Sequence, residues 1–315
     1  MKNKKIPKKF INDFTMNDKV ELIYDYDEVH SDNKESYNIK EENIRMMIEK
    51  IKLQENFPLS KKPAATGGED SVGSSYEYVD KYFYRILSDM DTYNIKGKDV
   101  LIIGTSNGWY ESFVLAYGGV PHVVEYVDVE YNGEQIIYYT PEELTKLDFK
   151  FDFCISFSSY EHSGLGRYGD EINPNADLES MSELKNVLKE DGILFLALPI
   201  GKDRVVFNIH RIYGSIRLPL LFENWKLVGH SGYWWNQTDM DFNAGHQPIF
   251  ILKNRNFSEL PACCLRVTNC TCQNTDPFLV TTKPEGPVEY TRDYYTRLLQ
   301  SSKMIKMIND VVIYE

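Results

Sequence analysis

Short apolar runs, separated by polar or glycine-containing turns, dominate the middle of the chain. Five of them have the length of buried strands: 99–103, 120–124, 135–139, 151–157 and 193–198. Apolar residues at helical spacing lie between several of these runs. Because strands that alternate with helices pair in parallel through right-handed crossovers, the pattern predicts a mostly parallel sheet with helices on both faces.

Helix signals support this alternation. A stripe of apolar residues at helical spacing precedes the first strand: Tyr82, Phe83, Ile86, Leu87 and Met90. Residues 110–117 form a predicted helix that ends at a Gly-Gly pair. Thr140 opens a capping box with proline at the first helical position, and a further helix is predicted over 178–188.

Two later apolar runs, 225–228 and 247–252, are predicted to close the sheet as an antiparallel pair. The fold class is therefore α/β, a doubly wound, mostly parallel sheet with an antiparallel last strand pair. The predicted main domain covers residues 76–255. It is preceded by a polar N-terminal extension, 1–75, with one amphipathic helix over 41–53 and a linker over about 57–75, and followed by a cysteine-containing tail, 256–315.

Composition narrows the classes of partner. A formal net charge of −12 argues against a nucleic-acid backbone as the main partner, since phosphate binding needs a positive surface. No apolar stretch reaches the length of a bilayer span. The oligomeric state is left open.

The sequence bears on the cellular compartment in two ways. Without a signal-peptide core, the chain is expected in the cytoplasm. Sequons at Asn236, Asn256 and Asn269, with four cysteines crowded in the tail, leave a secretory-pathway location open. These cysteines are Cys263, Cys264, Cys270 and Cys272, and their spacing matches no standard zinc pattern.

A glycine turn and a spaced acid supply the first candidate site. Gly104, Ser106 and Gly108 lie between the first predicted strand and the helix that follows it. Glu125 comes about 20 residues later, at the end of the second strand, which is the separation expected when an acid binds a ribose diol. A nucleotide-like ligand is therefore expected at this edge of the sheet.

The order of elements resembles the class I S-adenosylmethionine-dependent methyltransferase fold, a Rossmann-like arrangement, over roughly 99–254. The first motif of that fold, acid-x-Gly-x-Gly-x-Gly, aligns with Ile102, Gly104, Ser106 and Gly108, so that two of four positions match. The resemblance implies S-adenosylmethionine as cofactor and Glu125 as the ribose-binding acid. It also implies that Ser158, after the fourth strand, approaches the methyl donor.

Two longer strings resemble a more specific group. The segments 161–170 and 210–221 look like signatures of the domain-of-unknown-function 268 family, which is found notably in nematodes. Together with the fold, this resemblance implies a methyltransferase-like domain.

The segment 161–170 is expected where the substrate meets the donor. His162 and Asp170 are predicted to be catalytic, with His162 as general base because its pKa lies near neutral pH. The other interpretation of His162 is a histidine that caps or packs beneath the loop. Arg167 and Asp170 are candidates for a clamp on a polar or anionic substrate, or alternatively for a loop-stabilising ion pair.

Glu161, Arg167, His210 and Arg211 complete the predicted substrate-binding set. His210 and Arg211 are expected to reach the pocket from the other side. No metal is assigned, although Glu161, His162, Asp170 and His210 have the right ligand types for one.

Two functions follow from these residues. The first is S-adenosylmethionine-dependent methyl transfer to a small molecule or to a glycan hydroxyl. The second is a methyltransferase-like binding or scaffold protein without catalysis, which the substituted first motif favours.

Overall fold

The computed structural model describes residues 5–25, 36–55, 77–88, 92–234, 237–242, 246–255, 304–308 and 311–314. Several predictions lie outside the described residues: the linker over 57–75, the three sequon asparagines and the four clustered cysteines.

The described residues contain fourteen strands and seven α-helices. The strands are β1 (Glu21–Asp25), β2 (Tyr37–Ile39), β3 (Asp99–Ile103), β4 (Val120–Val124), β5 (Val129–Tyr131), β6 (Ile137–Tyr139), β7 (Phe151–Phe157), β8 (Leu188–Ala197), β9 (Arg204–Asn208), β10 (His210–Ile212), β11 (Trp225–Ser231), β12 (Ile249–Asn254), β13 (Met304–Ile308) and β14 (Val311–Tyr314). The helices are α1 (Ile11–Phe14), α2 (Glu41–Glu55), α3 (Glu77–Leu87), α4 (Trp109–Ala116), α5 (Pro141–Leu144), α6 (Ala176–Val187) and α7 (Leu218–Leu221).

The main sheet has the order β13-β14-β11-β12-β8-β7-β3-β4-β6. From β6 to β8 all neighbours are parallel, whereas β12 runs antiparallel to both β8 and β11. This confirms the predicted fold class, a doubly wound methyltransferase-type sheet whose last predicted pair is antiparallel. The carboxyl ends of β3, β4, β6, β7 and β8 therefore meet at one edge, which we call the carboxyl edge.

Apolar side chains bury both faces of this sheet. One core cluster packs α2, α3 and α4 against one face, with Phe83, Phe113 and Phe195 among its buried rings. A second cluster packs α6 and α7 against the other face. The strands β3, β7 and β8 are apolar over most of their length because both faces are covered.

The residues before the main sheet contribute more structure than the predicted polar extension with one helix. β1 pairs in parallel with β9, and β10 completes a three-stranded sheet. β2 pairs in parallel with β5, and α2 packs on α4. The apolar residues that anchor the first segment, Ile6, Phe14 and Val20, are buried together with Leu165 but follow no regular period.

The C-terminal part also differs from the predicted tail, because β14 pairs with β11 and β13 pairs with β14. The hairpin thus extends the main sheet past its predicted edge.

Local signals give the boundaries of several elements. The capping box at Thr140 is present, with the Thr140 side chain accepting from the Glu143 N–H. The predicted helix over 178–188 lies two residues earlier at its start, and β8 begins at Leu188. Among the described helices, none combines the length and apolar character needed to cross a membrane.

Candidate functional site

The glycine turn between β3 and α4 lies at the carboxyl edge. Gly104 has φ +79°, a conformation that favours glycine. A Cβ at this position would lie 3.2 Å from Ser159 Oγ and 3.9 Å from Glu125 Oε2. The segments after β7 and β4 therefore both lie against Gly104, and its positive φ is what favours glycine at this position.

The other two predicted turn residues differ in environment. Ser106 is exposed at the tip of the turn. Gly108 precedes α4 with φ +82°, and a Cβ there would lie 2.5 Å from Ile44 Cδ1. The N-terminal helix α2 is thus packed directly against the end of the glycine turn.

Glu125 follows β4 and connects the ends of two strands. Its Oε2 accepts from the Thr105 N–H at 2.9 Å, and its Oε1 accepts from the Tyr126 N–H at 2.8 Å. Desolvation raises the pKa of Glu125, while these backbone hydrogen bonds oppose the rise. A carboxylate has about four acceptor positions, so these bonds do not exhaust its capacity.

Tyr126 and Glu111 were not predicted from the sequence. Tyr126 is 77% exposed directly after the acid. Glu111 lies in the first turn of α4 and is 1% exposed, and burial raises its pKa to about 7. Within the described part of the chain, Glu111 Oε1 has no hydrogen-bond partner. The signal for Tyr126 was its place after the acid, whereas the burial of Glu111 required tertiary structure.

The segment after β7 places a serine and a buried acid together. Ser158 has φ +55°, and its Oγ donates to Glu161 Oε1 at 2.6 Å. Gln247, two residues before the start of β12, donates from Nε2 to Ser158 Oγ at 3.1 Å. Gln247 was not predicted, because only the antiparallel pairing of β12 with β8 brings it to this edge.

His162 ends a short 3₁₀ turn in the same segment. Its Nδ1 lies 2.6 Å from the Ile209 carbonyl oxygen, and because a carbonyl only accepts, Nδ1 carries the hydrogen. Its Nε2 lies 3.8 Å from Glu161 Oε1. Burial, together with the charge of Arg167, lowers the pKa of His162 to about 3, so the imidazole is neutral at neutral pH.

Burial also shifts the pKa of the second histidine, His210, and that of the acid, Glu161. The His210 ring centroid lies 6.4 Å from that of His162, and burial lowers the pKa of His210. Glu161 is 1% exposed, and burial raises its pKa to about 7 against the opposing effects of the Ser158 hydrogen bond and of Arg167.

Arg167 and Asp170 make different contacts within the loop. Arg167 Nη1 donates to the Ile209 carbonyl at 3.2 Å, and its guanidinium lies 5.4 Å from the centre of the Tyr168 ring. The Asp170 carboxylate accepts from the backbone N–H groups of Gly166 and Tyr168, at 3.1 and 3.2 Å. Asp170 therefore stabilises the loop through hydrogen bonds to the loop's own backbone.

Arg211 lies beneath the loop and is fully buried. It donates to the carbonyl of Ser163 and, at 3.3 Å, to that of Pro174. Its Nε lies 3.8 Å from Asp177, which also binds Arg217 and Tyr213. The structure thus places Arg211 among groups that support the loop.

The carboxyl edge consequently brings together Gly104, Glu125, Ser158, Glu161 and His162, with Arg167 and His210 beside them. In the described ranges, no three His, Cys, Asp or Glu side chains are arranged to hold a metal ion.

A comparison with protein families gives a match within this domain. Residues 97–248 match the family model described as "Caenorhabditis protein of unknown function, DUF268". These residues are therefore similar to the DUF268 family. The match covers both strings, 161–170 and 210–221, that carried the resemblance in the sequence, and it confirms that resemblance. The comparison with curated proteins gave no match.

Solved structures that resemble this chain include two bacterial methyltransferases. One is the 1,6-didemethyltoxoflavin-N1-methyltransferase of Burkholderia thailandensis with bound S-adenosylhomocysteine, at 15% identity and TM-score 0.39, covering 57% of this chain and 86% of that one. The other is the N-methyltransferase NodS of Bradyrhizobium japonicum in complex with S-adenosylhomocysteine, at 9% identity and TM-score 0.40, covering 67% and 99%. The likeness is distant, and the fold is established by the chain's own strand order.

Proposed function

We propose that this protein is an S-adenosylmethionine-dependent methyltransferase whose acceptor is a small molecule or a glycan hydroxyl, acting in the cytoplasm. The observation that carries the proposal is the meeting of three loops at the carboxyl edge, where the Cβ position of Gly104 lies close to both Ser159 and Glu125. Open α/β sheets bind ligands in the crevice outside the carboxyl ends of their strands.

The donor side of this proposed site comprises Gly104, Ser106, Gly108, Glu125 and Ser158. Glu125 accepts the ribose hydroxyls, and the exposed Tyr126 ring offers a stacking surface for the adenine. The absence of a side chain at Gly104 provides the close backbone approach that such a ligand needs. When bound, the cofactor supplies an electrophilic methyl group, and the protein orients the acceptor for in-line attack.

The acceptor side comprises Glu161, His162, Arg167, Asp170, His210 and Arg211. His162 holds its hydrogen on Nδ1, so Nε2 carries the lone pair that a general base requires. Its pKa of about 3 makes it a weak base. Asp170 and Arg211 serve this site by shaping the loop, through the backbone groups that they bind.

The alternative is a methyltransferase-like binding protein without catalysis. Ile102 favours it, because this buried residue stands where the fold's first motif has an acid.

Calorimetric titration of the full chain tests the enzyme function. We expect S-adenosylmethionine and S-adenosylhomocysteine to bind with micromolar affinity, and His162→Ala to leave this affinity within about threefold, because His162 belongs to the acceptor side. The absence of heat and of a thermal shift with folded protein at millimolar ligand would falsify the enzyme function.

A further inference from the structure

Three side chains form a directed hydrogen-bond chain at the carboxyl edge. Gln247 Nε2 donates to Ser158 Oγ, and Ser158 Oγ donates to Glu161 Oε1. An amide nitrogen only donates, so the Ser158 hydroxyl hydrogen must point to Glu161. The donated hydrogens therefore point from Gln247 to Ser158 and from Ser158 to the buried acid, Glu161.

Ser158 is the member of this chain that a substrate can reach. It is half-buried, whereas Glu161 is buried, and it directly follows the carboxyl end of β7. Its φ of +55° is costly for a residue with a side chain, and such conformations persist where the surroundings enforce them. Here Gln247 holds the Ser158 hydroxyl, and the next residue, Ser159, lies against Gly104 of the glycine turn.

Glu161 has the properties of a proton acceptor. Its Oε2 is buried without a hydrogen-bond partner among the described residues. The charges that face it come from Arg167 in the loop and Arg211 in β10, and both favour the carboxylate, whereas burial opposes it. These opposing effects leave its pKa at about 7, which suits proton uptake near neutral pH.

His162 is less suited to this role. Its Nδ1 is committed to the Ile209 carbonyl, and its pKa is about 3. Neutral His162 lies beside Glu161, with Nε2 3.8 Å from Oε1, which is too far for a hydrogen bond, and it does not compete for the proton.

We propose that Ser158 and Glu161 form the proton relay of the methyl transfer, with Gln247 as a positioning residue. This inference rests on the proposed function. The acceptor oxygen bonds to the methyl carbon while the carbon–sulfur bond breaks and leaves its electron pair on sulfur. The acceptor's proton passes to Ser158 Oγ, and the Ser158 proton passes to the Glu161 carboxylate, which becomes a neutral acid.

An infrared titration tests the relay without an acceptor. We expect the full chain, saturated with S-adenosylhomocysteine, to show a carboxyl that ionises near pH 7 and is missing in Glu161→Gln. In Ser158→Ala its midpoint should rise, because the hydrogen bond to the charged form is lost. Glu111→Gln is the matched control, since it removes a different buried carboxyl with a similar pKa and leaves the Glu161 signal in place. A Glu161 carboxyl that does not change between about pH 5 and pH 9 overturns the relay.

Methyl transfer gives the second readout. S-adenosylmethionine with a labelled methyl group serves as the donor, and a deproteinised Caenorhabditis extract serves as the pool of acceptors. We expect the wild-type rate to rise through about pH 7, and Glu161→Gln and Ser158→Ala to lose about 100-fold in turnover together with this rise. Wild-type rate and pH profile in Glu161→Gln would overturn the relay while leaving the proposed function intact. If the proposed function is wrong, the wild-type protein will not bind S-adenosylhomocysteine, so the two failures are distinguishable.

Discussion

At the scale of residues, two buried acids dominate the electrostatics of the carboxyl edge. Glu111 and Glu161 are each 1% exposed, and burial raises the pKa of each to about 7. A buried carboxyl of this kind is compatible with the folded state while it is neutral, and its ionisation lowers the free energy of unfolding. The unfolded chain releases these protons at lower pH, so stability falls as pH rises from the unfolded pKa to the folded one.

We therefore expect Glu111→Gln to stabilise the protein in a pH-dependent way. A rise of the pKa from 4.5 to about 7 corresponds to about 3 kcal/mol at pH values above both. The gain in the free energy of unfolding should be near zero at about pH 4.5 and approach this value near pH 8. Urea unfolding across this range measures it, with exposed Glu134→Gln as control. An equal gain at both ends would contradict the assignment of a buried, protonated acid.

Residue-scale features were predictable where they depend on spacing along the chain. The place of Glu125 after β4 was predicted from its distance to Gly104, and the segment 161–170 was singled out by its resemblance to a known family. Gln247 and Glu111 were not found, because their roles arise from pairing between β12 and β8 and from burial under the turn. The low pKa of His162 likewise depends on Arg167 and on burial, which a sequence does not show.

At the scale of elements, one acid joins three parts of the fold. Asp177 in α6 is fully buried and binds Arg217 at the start of α7 and Tyr213 after β10. Arg211 lies next to it and supports the loop that carries His162. This charge cluster therefore fixes the loop relative to the sheet.

Replacement of Asp177 by Asn should leave buried cations without their counter-charge. We expect a loss of about 3–5 kcal/mol in the free energy of unfolding, as for other buried ion pairs that lose one partner. Glu183→Gln, an exposed change in the same helix, should have an effect below about 0.5 kcal/mol. Denaturant unfolding of the two variants measures both, and equal effects would show that the cluster contributes little.

Elements with local signals were predicted well, and those with distant partners were not. The predicted bounds of β3, β4 and β7 match the structure, because each is an apolar run between turn residues. β1, β9 and β10 are short, and β1 pairs with a strand far along the chain, so no local pattern reveals them. The same holds for the hairpin of β13 and β14.

At the scale of the whole molecule, the N-terminal segments take part in the proposed site. α2 packs on α4 and contacts the end of the glycine turn through Ile44, while Leu165 of the loop after β7 is buried with Phe14 and Val20. The methyltransferase-type sheet therefore holds the site from one side, and the residues before it support both of its loops. We propose that the carboxyl edge binds the methyl donor through Glu125.

Calorimetric titration of full-length Glu125→Ala with S-adenosylhomocysteine tests this claim most directly. Loss of charged hydrogen bonds to the ribose should weaken binding about 10- to 100-fold relative to wild type. Glu134→Ala, an exposed acid outside the edge, should bind like wild type. Circular dichroism verifies that both variants are folded, since Glu125 also binds backbone N–H groups. Unchanged affinity in folded Glu125→Ala would contradict the placement of the donor site at the carboxyl edge.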